Sequence, residues 1–354
     1  MSAFDFSKHP RTSPAATSVV FALDQVYTHS GSSKFSFDLI SGVAKALDVR
    51  PEIIVTAQIG EQLFARPGIV VVAIALTLDG HLLQRYKQNK SILTIGYSDY
   101  FFNGNNAHLC DVYLNPCFSP LFPEQIDKAR QAGTVIIDYT YAPSRIRSRA
   151  IDRAAENRMG GPKTVAIYFR EPDDVSVRSR LISATQILSE QREYKFLVST
   201  GYGTVTETAD ILEDHFSKLP GSEFCNYNKN EREQNQRQLE GFLARADATA
   251  VTYDTLSGLS DMANTLMPVY LLASRNVAGR LWQKSTKERK DEKWREEYAL
   301  QLELFKRGRL KVFSRKTITA NWTPVCRDDW KIINGQIAGI IENRIRENAS
   351  QPTF

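Results

Sequence analysis

"VTYDTLSGLSDMANTLMPVY", residues 251–270, decides the fold. A β-branched run ends in a loop of hydroxyls with one glycine, a short helical pattern follows, and a second apolar run restarts after Pro268. The order strand, helix, strand is that of a βαβ unit in a parallel sheet.

The same alternation extends outward. Upstream lie "KTVAIYF" (163–169), the helix "SVRSRLISATQILSEQ" (176–191), "YKFLVSTG" (194–201), a helix at 205–219, "SEFCNYN" (222–228), a helix at 236–246 and "ATAVTYD" (248–254). Further back are strands at 18–29, 51–58, 68–76, 91–98, 111–116 and 133–139, with a helix at 37–49 after the first. Short β-branched runs of this kind are strands buried on both faces of a sheet. The expected fold is therefore α/β, in two halves of similar length.

The charged pattern at 145–162 reads as a helix stopped by Gly160, Gly161 and Pro162, which sets the division. Residues 1–17 form a polar arm, 18–158 a first domain and 159–327 a second. The remaining residues, 328–354, form a last helix and tail, with Ile332, Ile333, Ile337, Ile340, Ile341 and Ile345 on one apolar face that braces the first domain. The mixed charges of 274–310 read as a solvated helix.

Composition narrows the function. A chain of 354 residues with 42% hydrophobic and 24% charged side chains is a globular protein long enough for two domains. A net charge of +5, with basic and acidic residues interleaved, does not mark a nucleic-acid binder. Cys110, Cys117, Cys225 and Cys326 have neither zinc-site nor disulfide-framework spacing, so free thiols in a reducing cytoplasm are expected. The apolar run 69–78 is too short to span a bilayer.

Ligands of doubly wound sheets sit beyond the carboxyl ends of the strands, so the loops there are the candidates. "THSGSSKF" (28–35) offers small residues, His29 as a base near neutral pH, and Lys34 for an anion; a serine-capped βα turn accounts for it equally well. "STGYGT" (199–204) sets Ser199, Thr200 and Thr204 around Gly201, Tyr202 and Gly203, a turn able to cradle a phosphate but without a Walker lysine. In the opening stretch Thr255, Ser257, Gly258 and Ser260 begin a helix with Asp261 in its first turn, where a carboxylate can hold ribose hydroxyls. Acids are also common in the first turn of any helix.

These residues carry a resemblance. "FLARADATAVTYDTLSGLSDMANTLMPVYLL" (242–272) resembles a segment of the ELM mitochondrial-fission proteins and their bacterial relatives. "FLVSTGYGTVTETADIL" (196–212), residues 302–345 and, more weakly, 30–49 are similar to further segments of that family. The resemblance implies two Rossmann-like domains facing a cleft, as in GT-B glycosyltransferases, with a nucleotide-sugar site on the second and the C-terminal helix packed back on the first. Two departures stand out. Gly201, Tyr202 and Gly203 replace the family's adjacent arginines, and Lys34, Ser36 and Asp38 stand where it has a His-Glu-Asn-Gln run.

The expected function is transfer of a sugar from a nucleotide-diphosphate donor to a glycan or lipid-linked acceptor in cell-envelope polysaccharide synthesis, with no metal and no cofactor. Ser199 to Thr204, Thr255, Ser257, Gly258, Ser260 and Asp261 are the donor residues, with Tyr202 or Tyr253 stacking on the base. His29 is the first choice of general base and Asp99 the second. Arg145, Arg147 and Arg149 are the candidates to meet acceptor phosphates or anionic headgroups at a membrane surface, although a solvated helix face is the more ordinary reading of them. The competing classes are a non-catalytic adaptor of the same shape and a nucleotide-sugar epimerase.

Overall fold

The computed structural model describes residues 19–24, 31–56, 61–65, 68–75, 80–97, 106–117, 121–141, 162–170, 175–191, 193–201, 203–230, 232–253, 255–265, 267–279, 293–320, 322 and 329–349. The chain divides into two compact units, residues 1–140 with 328–354, and residues 141–327.

In the first unit β1 (Val19–Asp24), α1 (Gly31–Ala46), β2 (Glu52–Thr56), β3 (Ile69–Ala75), α2 (Gly80–Gln88), β4 (Ile92–Tyr97), β5 (Val112–Pro116), α3 (Pro123–Gln131) and β6 (Val135–Tyr139) follow one another. All strands are parallel, in the order β2-β1-β3-β4-β5-β6. Every residue of β4 is buried, including Thr94. That polar residue is satisfied because its N–H and hydroxyl both donate to Asp111 Oδ2, at 2.8 and 2.9 Å.

The second unit runs β7 (Lys163–Phe169), α4 (Ser176–Glu190), β8 (Tyr194–Thr200), α5 (Thr206–Ser217), β9 (Glu223–Cys225), α6 (Arg232–Arg245), β10 (Ala248–Thr252), α7 (Leu256–Asn264), β11 (Val269–Leu272), α8 (Lys293–Lys306), β12 (Leu310–Val312) and α9 (Arg315–Thr319). Its six strands are parallel in the order β12-β11-β10-β7-β8-β9. Val165, Ile167, Phe169, Phe196 and Val198 pack under Leu181 of α4 and Leu212 and Phe216 of α5. The two helices lie side by side, joined from Arg178 Nη1 to Thr208 Oγ1 (2.6 Å) and from His215 Nε2 to Thr185 Oγ1 (2.9 Å).

The last helix, α10 (Asp329–Ala349), returns to the first unit and packs on α1. Trp330, Ile333, Ile337, Ala338 and Ile341 are its buried face. Close approach is possible because Gly42 of α1 has no side chain: a Cβ there would lie 2.8 Å from Asn334 Cγ. Further along, Arg344 Nη2 pairs with Asp111 Oδ1 at 2.8 Å, tying α10 to the loop before β5.

Several elements differ from the sequence expectation. The first loop is shorter, because Gly31 to Phe35 already belong to α1, which ends at Ala46. Ile332 points outward and is exposed, since the buried stripe runs through Trp330, Ile333 and Ile337. α2 and α3 were not legible. Leu83 and Tyr86 alone anchor α2 and Ala129 alone is buried on α3, too few apolar positions to mark a period. The stretch at 274–310 is more than a solvated helix, for Leu300, Gln301, Leu302 and Leu304 of α8 are buried. The charged helix read at 145–162 lies, apart from Pro162, outside the described residues.

Candidate functional site in the second unit

Counted from β7 as strand one, the second sheet has the order 3-2-1-4-5-6. The chain builds outward from β7 on one side and then, starting with β10, on the other. The carboxyl ends of β7 and β10 therefore flank the topological switch point, where doubly wound sheets bind ligands.

Arg170, the residue after β7, stands at this point with an exposed side chain. Its backbone N–H donates to Thr252 Oγ1 at 3.1 Å, pinning the end of β7 to the end of β10. Thr252 Oγ1 also meets Thr255 Oγ1 at 2.9 Å. Thr255 is the N-cap of α7, and with its hydroxyl held there it makes no side-chain cap. The N–H groups of Leu256, Ser257 and Gly258 have no acceptor within the helix, and the positive end of its dipole lies beside Arg170's strand end. The other end of α7 is fixed by Arg309, only 4% exposed, which donates from Nη2 to Ala263 O at 2.6 Å and from Nη1 to Tyr141 Oη at 2.8 Å. A cation on the last turn complements the dipole and holds the helix axis in place.

α4 and α5 also begin at this edge of the sheet, behind Val175 and Val205, neither of which caps by its side chain. Helix N-termini thus follow β7, β8 and β10, and at none of the three does the N-cap side chain bond the first turn.

The glycines have a specific neighbour. The Tyr168 ring lies flush against both, so that a Cβ on Gly201 would be 2.7 Å from its Cζ and one on Gly258 would be 3.0 Å from its Cδ1. Both glycines admit this phenol. Gly203 has a different reason: its φ of 92° is left-handed, and a Cβ there would come 3.5 Å from Arg170 Nε. The turn after β8 thereby lies against the Arg170 guanidinium.

The hydroxyls of that turn are directed inward. Ser199 Oγ donates to Thr200 O, Thr200 Oγ1 to Cys225 O, and Thr204 Oγ1 to Phe169 O. Thr200 Oγ1 also accepts from the Tyr227 N–H at 2.8 Å. Ser199, Thr200 and Thr204 are buried and shape the turn. Asp261 is in the second turn of α7, not the first, which contains no acid; it is 8% exposed, and Ser260 beside it is buried. Tyr253, half-buried after β10, accepts a hydrogen bond at its carbonyl from Gln301 Nε2 of α8. Cys225 is buried; that burial pushes its thiol up, and the thiol donates to Asn235 Oδ1 at 3.1 Å.

Tyr202, His29, Asp99, Arg145, Arg147 and Arg149 lie outside the described residues, and of Lys34 and Ser257 only the backbone is described. The first unit's switch point falls between β1 and β3, whose following residues, 25–30 and 76–79, are likewise outside. Near it Phe35 of α1 stacks on Tyr97 at 4.3 Å and meets Trp330 edge-on at 5.9 Å, while Ser36 Oγ bonds Tyr97 Oη. Among the described residues no three His, Cys, Asp or Glu side chains form a metal-binding group, and no helix is long and apolar enough to cross a membrane.

Sequence reasoning missed Tyr168, Arg170, Gln301 and Arg309. Only Arg170 had a signal, its place directly after a strand.

Fold and site define an α/β chain of two Rossmann-like units, each around a six-stranded parallel sheet, with a C-terminal helix on α1. No family model and no curated protein matches it. Among solved structures it is similar to the S. aureus MnaA–UDP co-structure, with 11% identity over 95% of this chain and 98% of the other at a TM-score of 0.43. It is also similar to the catalytic domain of starch synthase IV from Arabidopsis thaliana bound to ADP and acarbose, with 9% identity, 93% and 99% covered and a TM-score of 0.42. For UDP-N-acetylglucosamine 2-epimerase from Rickettsia bellii the values are 12% identity, 93% and 95% covered and 0.37.

Proposed function

We propose that the chain is a GT-B-type glycosyltransferase that binds a nucleotide-diphosphate sugar at the switch point of its second unit and passes the sugar to a glycan or lipid-linked acceptor. The observation that carries this reading is the placing of the Arg170 guanidinium against the left-handed turn at Gly203, with the Arg170 backbone joined through Thr252 to the N-cap of α7. A diphosphate there meets a side-chain cation and backbone N–H groups together.

The same groups serve the chemistry. As the anomeric C–O bond to the diphosphate breaks, negative charge grows on the leaving oxygen, and donors already aimed at it lower the barrier. The new bond forms from the acceptor hydroxyl, whose proton passes to a base; His29 and Asp99 remain the proposed bases. Arg170 takes the part that the family's adjacent arginines were expected to play after β8. The hydroxyls of Ser199, Thr200 and Thr204 hold the turn, leaving direct contact to the α7 backbone and Arg170. Tyr253 is retained as the base-stacking residue, and Arg145, Arg147 and Arg149 as contacts for an anionic acceptor or headgroup.

One observation favours a second reading, a non-catalytic adaptor of the same shape. Tyr168 occupies the space between Gly201 and Gly258, so both glycines are explained without a ligand. Calorimetric titration with UDP, GDP, ADP and their sugar conjugates, followed by product analysis with a mixed acceptor pool, tests the two readings. The transferase binds a conjugate and yields free nucleotide with a glycosylated acceptor. Conversion of the conjugate to its epimer without an acceptor assigns the reaction to an epimerase, and absence of binding leaves the adaptor.

A further inference from the structure

Gln301 is 1% exposed, on a stretch of α8 whose neighbours Leu300, Leu302 and Leu304 are buried hydrocarbon. Its Nε2 donates to the carbonyl of Tyr253, directly after β10 at the switch point. That bond fixes the amide, because turning it over would set two carbonyl oxygens against each other. The far end, Oε1, is buried and has no hydrogen-bond partner. Native proteins leave few buried acceptors bare, and an amide in an apolar row is kept for what it can bond.

We infer that Gln301 Oε1 is the acceptor for a neutral N–H or O–H donor on the nucleoside part of the bound nucleotide, and so selects the base or the ribose. The inference rests on the reading of the switch point as a nucleotide site. A carbonyl oxygen repels phosphate oxygens, which excludes the diphosphate as its partner. Arg170 and Tyr253 stand at the ends of adjacent strands, so the cation takes the phosphate end and the amide the nucleoside end of one ligand. A base-edge N–H and a ribose hydroxyl satisfy the oxygen alike, and blocked analogues separate them.

The experiment takes whichever of UDP, GDP and ADP binds wild-type protein most tightly. Its affinity is compared with that of the form N-methylated on the base edge and of the 2′-deoxy and 3′-deoxy forms, on wild type and on Gln301→Met. One blocked form is expected to bind wild type about tenfold or more weakly. On Gln301→Met the parent compound falls to that level and the discrimination disappears. A methyl effect identifies the base, a deoxy effect the ribose. Undiminished discrimination in Gln301→Met overturns the inference. So does a wild type that tolerates every blocked form, a result that needs no variant to fold and assigns Oε1 to a trapped water. In both cases the nucleotide reading stands. If none of the diphosphates binds wild type, the reading and the inference fall together.

Discussion

Tyr168 fits against the turn after β8 and the first turn of α7 only because Gly201 and Gly258 lack side chains. Gly201→Ala therefore overpacks the switch point and is expected to cost about 1–3 kcal/mol. In a Tyr168→Ala background the same change has room, and its cost shrinks; urea unfolding of the four proteins of that cycle measures the coupling. Arg170 is a different case, exposed and at the mouth of the site. Arg170→Gln is expected to weaken nucleoside-diphosphate binding roughly tenfold or more, the worth of a charge-assisted hydrogen bond. Calorimetry on the variant checks it, and affinity equal to wild type removes Arg170 from the site. The sequence shows the glycines and hydroxyls of 199–204 and 255–261 but not what they face. Gly201 answers to a tyrosine a whole βα unit upstream, and Thr200 to Cys225 and Tyr227 beyond the next helix. Such partners follow from the sheet order, which no local pattern contains.

Elements are more legible than sites. The expected strands at 91–98, 163–169 and 194–201 appear as β4, β7 and β8 because most of their length is buried, which demands apolar or small side chains; Lys163 and Lys195 stand only at the less buried starts of β7 and β8. α2 and α3, exposed on most sides, left no such mark. Between α4 and α5 the Thr185 hydroxyl donates to Leu181 O at 2.8 Å, so its oxygen accepts from His215 Nε2–H. Burial pushes the His215 imidazole below its ordinary value, so the unfolded chain takes up the proton first. Stability is therefore full above the ordinary histidine value of 6.5 and declines as pH falls through it toward the folded-state value. His215→Gln should flatten this part of a pH series of melting temperatures, and an unchanged slope would place the acid sensitivity elsewhere. On α10 the Arg344 to Asp111 pair is largely shielded, with side chains 20% and 10% exposed. Arg344→Ala leaves a largely buried carboxylate with its Thr94 hydrogen bonds and the Lys87 charge nearby, and is expected to cost about 1–3 kcal/mol. Chemical denaturation measures that loss, and a change below about 0.5 kcal/mol would make the pair a surface contact.

For the whole molecule, two α/β units in succession and a last helix that returns to the first were legible from alternation and from the isoleucine stripe of α10. The first unit's candidates fall largely on residues around its strand ends that lie outside those described, so the chemistry proposed rests on the second unit. There the proposal of an anionic ligand is supported by the sheet order, by the N-terminus of α7 and by Arg170 beside the Gly203 turn. The most direct measurement is a thermal-shift titration of wild type and Arg170→Gln with UDP, GDP, ADP and their sugar conjugates. A ligand that binds only the folded chain adds about 2.7 kcal/mol at a hundred times its Kd. The predicted result is a selective rise in the melting temperature of wild type by one nucleotide family, strongly reduced in Arg170→Gln. A cooperative melt of wild type that none of these ligands moves would contradict a nucleotide site at the switch point of the second unit.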